Sequence, residues 1–194
     1  MLTASGSRSA SVTAMLVVAA TERELAHVRG VDTFVCGIGP VEAALQTARV
    51  LAERLPDTVL HIGIAGARGI DPPALVLGSE SVYCDVLDPL SVLKRVERLE
   101  PDAAFFARVH GALPEALVLP IATSGTVGGG TACDVEAMEG FGVLRACALA
   151  GVPAVELRAI SNAPDEPDRA RWSFEDAFVA LGDAVARVFA TGSA

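Results

Sequence analysis

The sequence has few aromatic residues, no basic block and no closely spaced cysteines, and each absence removes a class of function. Cys36, Cys84, Cys133 and Cys147 never approach CxxC spacing, which argues against a zinc site or a redox pair and reads as reduced core thiols. The histidines are equally scattered, and His61 falls in an apolar, strand-like run where a core role is expected. No metal or cofactor is therefore called for. Net charge is −9, with no aromatic–basic interleaving, so no nucleic-acid partner is expected. The apolar runs are too short to span a bilayer, and no membrane partner is expected. Residues 1–14, "MLTASGSRSASVTA", lack an apolar signal-peptide core and read as a disordered leader. That leaves 15–194 as a single domain of a cytoplasmic protein. Neither GxGxxG nor a P-loop ending is present, since "VGGGT" lacks GK[ST].

What is abundant is small and aliphatic. Apolar residues make up 52% of 194 positions, enough for one domain with a substantial core. "MLVVAA" (15–20), "DTFVCGIG", "TVLHIGIAG" (58–66), "ALVLGSESVYCD", "ALVLPIATSGT" and "AVELRAIS" read as strands, most of them continuously apolar as in a buried sheet. Helical patterns separate them. "TERELAHV" suggests one or two turns. From Pro40, the residues Val41, Ala44, Leu45, Ala48, Leu51, Ala52 and Leu55 define a candidate buried face. Further helices are expected over 101–112, from the Glu136/Glu139 segment onward, and over 174–190. Alternating strands and helices predict an α/β fold of three layers, with a mixed, mostly parallel central sheet flanked by helices.

In such sheets ligands gather at the carboxyl ends of strands. The polar groups leaving those ends are Thr21, Glu22 and Glu24, then "GIGP", "GIAG", "ATSGTVGGG", Glu136 and Glu139, and finally Ser161 and Asn162. Singly, each has an ordinary reading. Acidic residues suit helix starts, the glycines suit turns, and Asn162 before "APDEP" suits a loop.

Their order is more specific. An acidic turn after the first strand, then "GIGPVEAA", "GIAG", "VEAMEG" (135–140) and "GVPAVELRAISN" (151–162) resembles the nucleoside phosphorylase/nucleosidase family from about Met15 to the C-terminal helix. Within it, "VEAMEG", "RAISN" and "RARW" (169–172) are most similar to futalosine hydrolases of menaquinone biosynthesis. Methylthioadenosine/S-adenosylhomocysteine nucleosidases are close relatives that typically end the "RAIS" strand in Ser-Asp.

The resemblance implies a homo-oligomer, commonly a dimer, that cleaves the N-glycosidic bond of a purine nucleoside. It implies Glu24 as the water-activating carboxylate and Glu139 as the ribose anchor, with Met138 packed on the sugar. Arg158 and the backbone at Ala65 and Gly66 would place the water. Glu136 would support the site or the helix end. Asn162 would face the base. An Asn amide accepts from a protonated N7 and donates to O6, which suits hypoxanthine over adenine. The segment before Asp134 is short for the family, so backbone near Val127 and Gly128 would replace the usual wall of the base pocket. Where phosphorylases carry Gly-Asp-Pro-x-Arg this chain has "AATERE", so water rather than phosphate is the expected nucleophile. A nucleosidase for another purine nucleoside, methylthioadenosine and S-adenosylhomocysteine included, and a non-catalytic nucleoside binder remain the alternatives.

Overall fold

The computed structural model describes residues 14–86, 95–128 and 133–191. The leader, apart from Ala14, and the glycines at 129–130 lie outside the described residues. Among the described residues eight strands and four α-helices follow in the order β1 (Met15–Ala19), β2 (Asp32–Val35), α1 (Pro40–Glu53), β3 (Thr58–Ala67), β4 (Leu75–Tyr83), β5 (Arg98–Leu99), α2 (Ala103–Ala112), β6 (Leu117–Thr123), β7 (Val135–Ala137), α3 (Gly140–Ala150), β8 (Ala154–Asn162) and α4 (Phe174–Thr191).

The sheet is mixed. β1 pairs in parallel with β2 and β3, and β3 with β8. β4 pairs in parallel with β6, and β6 with β7. The antiparallel pairs are β3–β7, β4–β5 and β4–β8. Because β8 bonds both β3 and β4, the strands β3, β7, β6, β4 and β8 close into a ring. Closure removes the free edges these five strands would otherwise present. Small and branched residues from every strand of the ring fill it: Ala65, Ala67, Val76, Ile121, Val135, Ala137 and Ile160.

Helices cover the sheet on both sides. α2 and α4 bury Phe105, Val109, Leu181 and Val185 against Leu60, Ile62, Leu157 and other strand residues. Each such side chain contributes about 1.5–3 kcal/mol on leaving water. α1 and α3 pack on the other face over Leu16, Val18 and Val59. In β8 the odd positions Val155, Leu157 and Ala159 join the apolar face beneath α4. Period-two alternation turns Glu156, Arg158 and Asn162 to the opposite face, where all three are still buried.

Three expectations are corrected. α1 starts at Pro40 as its sequence suggests, but its buried residues are Ala43, Thr47, Val50 and Leu51. Val41 and Leu45 are 67% and 63% exposed, and Leu55 is exposed too. The helix lies close against α3, so small side chains occupy the contact and the larger ones turn outward. "TERELAHV" forms bonded turns rather than a helix, with Leu25 donating to the Glu22 carbonyl and Val28 to that of Leu25. Finally, Glu136 belongs to strand β7, and helix α3 begins only at Gly140 with Glu139 as its N-cap residue.

Candidate active site

A cavity of about 320 Å³ opens where β1, β3, β7 and β8 end. Its walls include Glu24, Ala65, Gly66, Val127, Met138, Glu139 and Asn162. Eight of the ten residues given a role from sequence, Glu136 included, thus meet on one surface. Arg158 lies beneath it, fully buried. Gly128 is set back from the wall, and its N–H is donated to Glu136 Oε1 at 2.7 Å.

Glu24 is held from both sides. Its Oε1 accepts the Ile64 N–H at 3.1 Å, while Oε2 accepts the Thr21 N–H at 3.0 Å and the Thr21 hydroxyl at 2.9 Å. The turn geometry of "TERE" serves this grip, because a carboxylate that bonds back to Thr21 folds over its own loop. Burial raises the Glu24 pKa, and the nearby Glu139 adds to the rise. Arg158 and the Ile64 N–H oppose it without cancelling it. A carboxylate with a raised pKa is a better proton acceptor than an exposed one.

Glu139 is fixed by the Gly39 N–H, which donates to Oε1 at 3.1 Å, and by Arg158 Nη1, 3.5 Å from Oε2. "GIGP" is therefore more than a turn, since its backbone orients a carboxylate 100 residues away in sequence. Oxygen lone pairs remain on Glu139 for vicinal hydroxyls.

Arg158 joins these groups to a deeper layer that sequence reasoning did not find. Its Nε donates to Glu156 Oε1 at 2.9 Å, and its Nη2 lies 2.7 Å from His61 Nε2. His61 Nδ1 lies 3.0 Å from the Val18 carbonyl. A carbonyl only accepts, so Nδ1 carries the proton and Nε2 accepts from Arg158. Burial and the Arg158 charge together lower the His61 pKa, in keeping with this neutral tautomer. Burial works against the Arg158 charge, yet Glu156, Glu139 and Glu24 hold its pKa above the ordinary value. Burial raises the Glu156 pKa in turn. The layer needs glycines around it. A Cβ on Gly63 would stand 2.1 Å from Arg158 Nη1, and one on Gly140 would stand 2.1 Å from both Glu156 oxygens. A charged pair inside an apolar strand ("VELRA") was the available signal.

Asn162 closes the opposite wall. Nδ2 donates to the Ala163 carbonyl at 2.9 Å, and Oδ1 accepts from the Ser161 hydroxyl at 2.8 Å. The carbonyl partner fixes which way the amide points. One N–H and one oxygen lone pair are left over.

The outer end of the cavity is aromatic and cationic. Trp172 and Phe174 lie 5.4 Å apart, and Phe174 stacks on Phe178. Arg23 sits over Phe174 and Phe178 at 5.4 and 5.2 Å, and Arg169 over Trp172 at 5.5 Å. All five line the cavity. Among the described residues no cluster suited to a metal ion occurs, no helix is long and apolar enough to cross a membrane, and no disulfide joins the four cysteines.

Comparison with known proteins gives the family. Residues 24–128 match the model of the phosphorylase superfamily. The chain belongs to that superfamily. It is 33% identical to futalosine hydrolase from Streptomyces coelicolor over 186 residues, covering 82% of this chain and 78% of that protein. Futalosine hydrolase from Thermus thermophilus is 30% identical, with 79% of each covered. A 5′-methylthioadenosine/S-adenosylhomocysteine nucleosidase from Actinobacillus succinogenes is 29% identical, with 72% of this chain and 70% of that protein covered. Among solved structures, futalosine hydrolase of Helicobacter pylori superposes with a TM-score of 0.76 at 18% identity, covering 93% of this chain and 97% of that one. At that identity the superposition speaks for the superfamily fold alone.

Proposed function

We propose that this superfamily member is an N-glycosyl hydrolase that cleaves futalosine and releases hypoxanthine, serving menaquinone biosynthesis. The observation that carries the reading is the arrangement of Glu24, Glu139 and Asn162 around one cavity, each already oriented by backbone donors or acceptors. Relatives named futalosine hydrolase at 30% identity and above support the choice of substrate.

The chemistry follows from these groups. Glu139 accepts the ribose hydroxyls, and its negative charge stabilises the positive charge that builds on the sugar as the C1′–N9 bond lengthens. Met138 packs on the sugar. Glu24 takes a proton from a water that adds to C1′. The bonding electrons leave with the purine, whose N7 takes a proton from solvent, because an amide cannot supply one at neutral pH. Asn162 accepts from the protonated N7 with Oδ1 and donates to O6 with its free N–H. The Ala65–Gly66 backbone helps place that water, with Arg158 beneath it, and Val127 lines the space around the base. The buried carboxylates of Glu24 and Glu139 disfavour a phosphate dianion beside the sugar, so water is the nucleophile. The two arginines over aromatic rings suit a flat, anionic group on the ribose better than a small neutral one.

The same reading makes the protein a homodimer of the cytoplasm. Ile38 lines the cavity and, with Val41 and Leu45, forms an exposed apolar stripe on and beside α1 that a second copy of the chain would cover.

The test is incubation with futalosine, inosine and methylthioadenosine, with and without phosphate, followed by chromatography of the released base. Hypoxanthine from futalosine, independent of phosphate, is the expected result. Adenine from methylthioadenosine alone would move the protein to the sister activity. Binding without base release would make it a nucleoside-binding member of the fold. Light scattering tests the dimer, and a monomer would overturn it.

A further inference from the structure

We propose that Glu156 and His61 are positioning residues that hold the Arg158 guanidinium back from Glu24 and so prevent a salt bridge from closing on it; what this does for the reaction rests on the reading of Glu24 as the acceptor of the water proton. A buried arginine is strongly drawn to a buried carboxylate beside it. A closed pair would lower the proton affinity of Glu24 and weaken it as a base. Arg158 and Glu24 are both buried, yet among the described residues the ion pairs of Arg158 are with Glu139 and Glu156 and not with Glu24. Both Glu24 oxygens accept from Thr21 and Ile64 instead.

The guanidinium is tethered from behind. Nε donates to Glu156 Oε1 at 2.9 Å, and Nη2 donates to His61 Nε2 at 2.7 Å. Only Nη1 is left for the site. It makes no hydrogen bond and lies 3.5 Å from Glu139 Oε2. No side chain on residue 63 keeps it from Glu24. The point where a Gly63 Cβ would stand is 2.1 Å from Nη1 and 2.8 Å from Glu24 Oε1, and glycine leaves that point empty. The restraint therefore comes from the other two nitrogens. β3 and β8 run parallel, with Gly63 opposite Arg158 and His61 opposite Glu156. Both tethers lie two residues back along their strands, on the same face as Arg158 and away from the carboxyl ends where the cavity opens. They draw the guanidinium down the sheet. A planar fork bonded through two nitrogens cannot turn the third onto Glu24 without losing one of those bonds. His61 is itself fixed, because Nδ1 donates to the Val18 carbonyl at 3.0 Å.

The test follows the Glu24 carboxyl carbon by NMR titration of the intact chain, its signal assigned by its loss in Glu24→Gln, with the pH profile of futalosine hydrolysis beside it. The other groups that face Glu24 are Arg158 from β8, Glu139 at the start of α3, the Thr21 hydroxyl of its own turn and, beyond β2, the Cys36 thiol, which burial above all pushes up to about 12. His61 is neutral, so His61→Leu removes a tether and changes no charge. In wild type the Glu24 carboxyl should titrate above the ordinary carboxylate range. In His61→Leu it should titrate about 1 to 3 pH units lower, the effect of an arginine closing on a carboxylate, and the acid limb of kcat/KM should move with it. His61→Gln, whose amide oxygen accepts from Nη2, should restore the wild-type value. A wild-type titration at or below the ordinary range would overturn the inference whether or not the variants fold. A folded His61→Leu that titrates as wild type does would also overturn it, and so would equal shifts in the Leu and Gln variants. The underlying reading fails separately. The expected titrations with no hydrolysis of any nucleoside keep the tether and sink the reading of Glu24 as a base. Hydrolysis with an unmoved titration in His61→Leu does the reverse.

Discussion

At the closed end of the cavity Arg158 is wholly buried and shares its charge among Glu156, Glu139 and Glu24. At the open end Arg23 and Arg169 lie on aromatic rings, and the ion pair of Arg23 with Glu175 has both side chains mostly in water. The same side chain therefore plays two parts. Arg158 holds carboxylates in place, and its removal would leave three acidic groups buried with no cation. The outer arginines keep their hydration and remain available to a ligand at little cost to the fold. The difference lies in the dielectric around each guanidinium, which makes charge interactions strong inside and weak outside.

The sharpest break of this contrast is at the chemistry. Glu24→Gln removes the proton acceptor and keeps the shape, so turnover should fall on the order of 100- to 10,000-fold while hypoxanthine affinity changes little. Single-turnover kinetics with parallel binding measurements would check it. Loss of binding at unchanged rate would contradict the assignment. The pH profile belongs to the same prediction. Glu24 must be ionised to act, and its pKa is raised, mainly by burial. kcat/KM should therefore fall on the acid side at a pH above the ordinary carboxylate range.

Next in size is Arg158→Met. It strips the buried carboxylates of their partner and should cost about 3–5 kcal/mol of stability in denaturant titration, together with activity. A variant as stable as wild type would mean that the buried charges are not coupled as the geometry implies. Asn162→Asp acts on one wall and leaves the network alone. It supplies an acid that can share a proton with N7, so the ratio of adenine to hypoxanthine release should rise by about 10-fold, the free-energy equivalent of one hydrogen bond. An unchanged ratio would remove the argument for a 6-oxopurine.

Arg169→Gln should have the smallest effect on the fold. Stability should change by no more than about 1 kcal/mol, the upper range of an exposed cation–π contact. Hydrolysis of inosine should be unaltered, and KM for futalosine should rise. A collapse in melting temperature would show that the two ends of the cavity are less different than their burial suggests.

The fold was largely legible because most strands are continuous apolar runs, and such runs announce a buried sheet without help from their neighbours. The failures were local. α1 carries apolar residues around much of its circumference, so spacing alone pointed to Val41 and Leu45 as well as Leu51, and the contact with α3 kept Leu51 and selected Ala43, Thr47 and Val50 beside it. Glu136 looked like a helix-start charge because it lies only three positions before Glu139. β7 is a strand of three residues, too short for its alternation to register. The motif residues at the strand ends could be nominated from sequence, and the fold brings most of them to one cavity. The link from Arg158 to His61 was hidden, because one His in an apolar strand has the pattern of a core residue, and the Glu156–Arg158 pair left only the trace of two charges in an apolar strand.

The sequence by itself determined most of the element types, the superfamily and the chemical kinds available at each strand end, since these depend on local periodicity and short motifs. Only the tertiary structure decided which of those groups meet. Gly39 reaches Glu139, Ile64 reaches Glu24 and Gly66 separates Glu136 from Asn162 because the ring of strands closes and sets their register. The protonation preferences were settled there too. Burial raises the pKa of Glu24 and of Glu156 and lowers that of His61, and desolvation is a property of the packed interior that no linear segment carries.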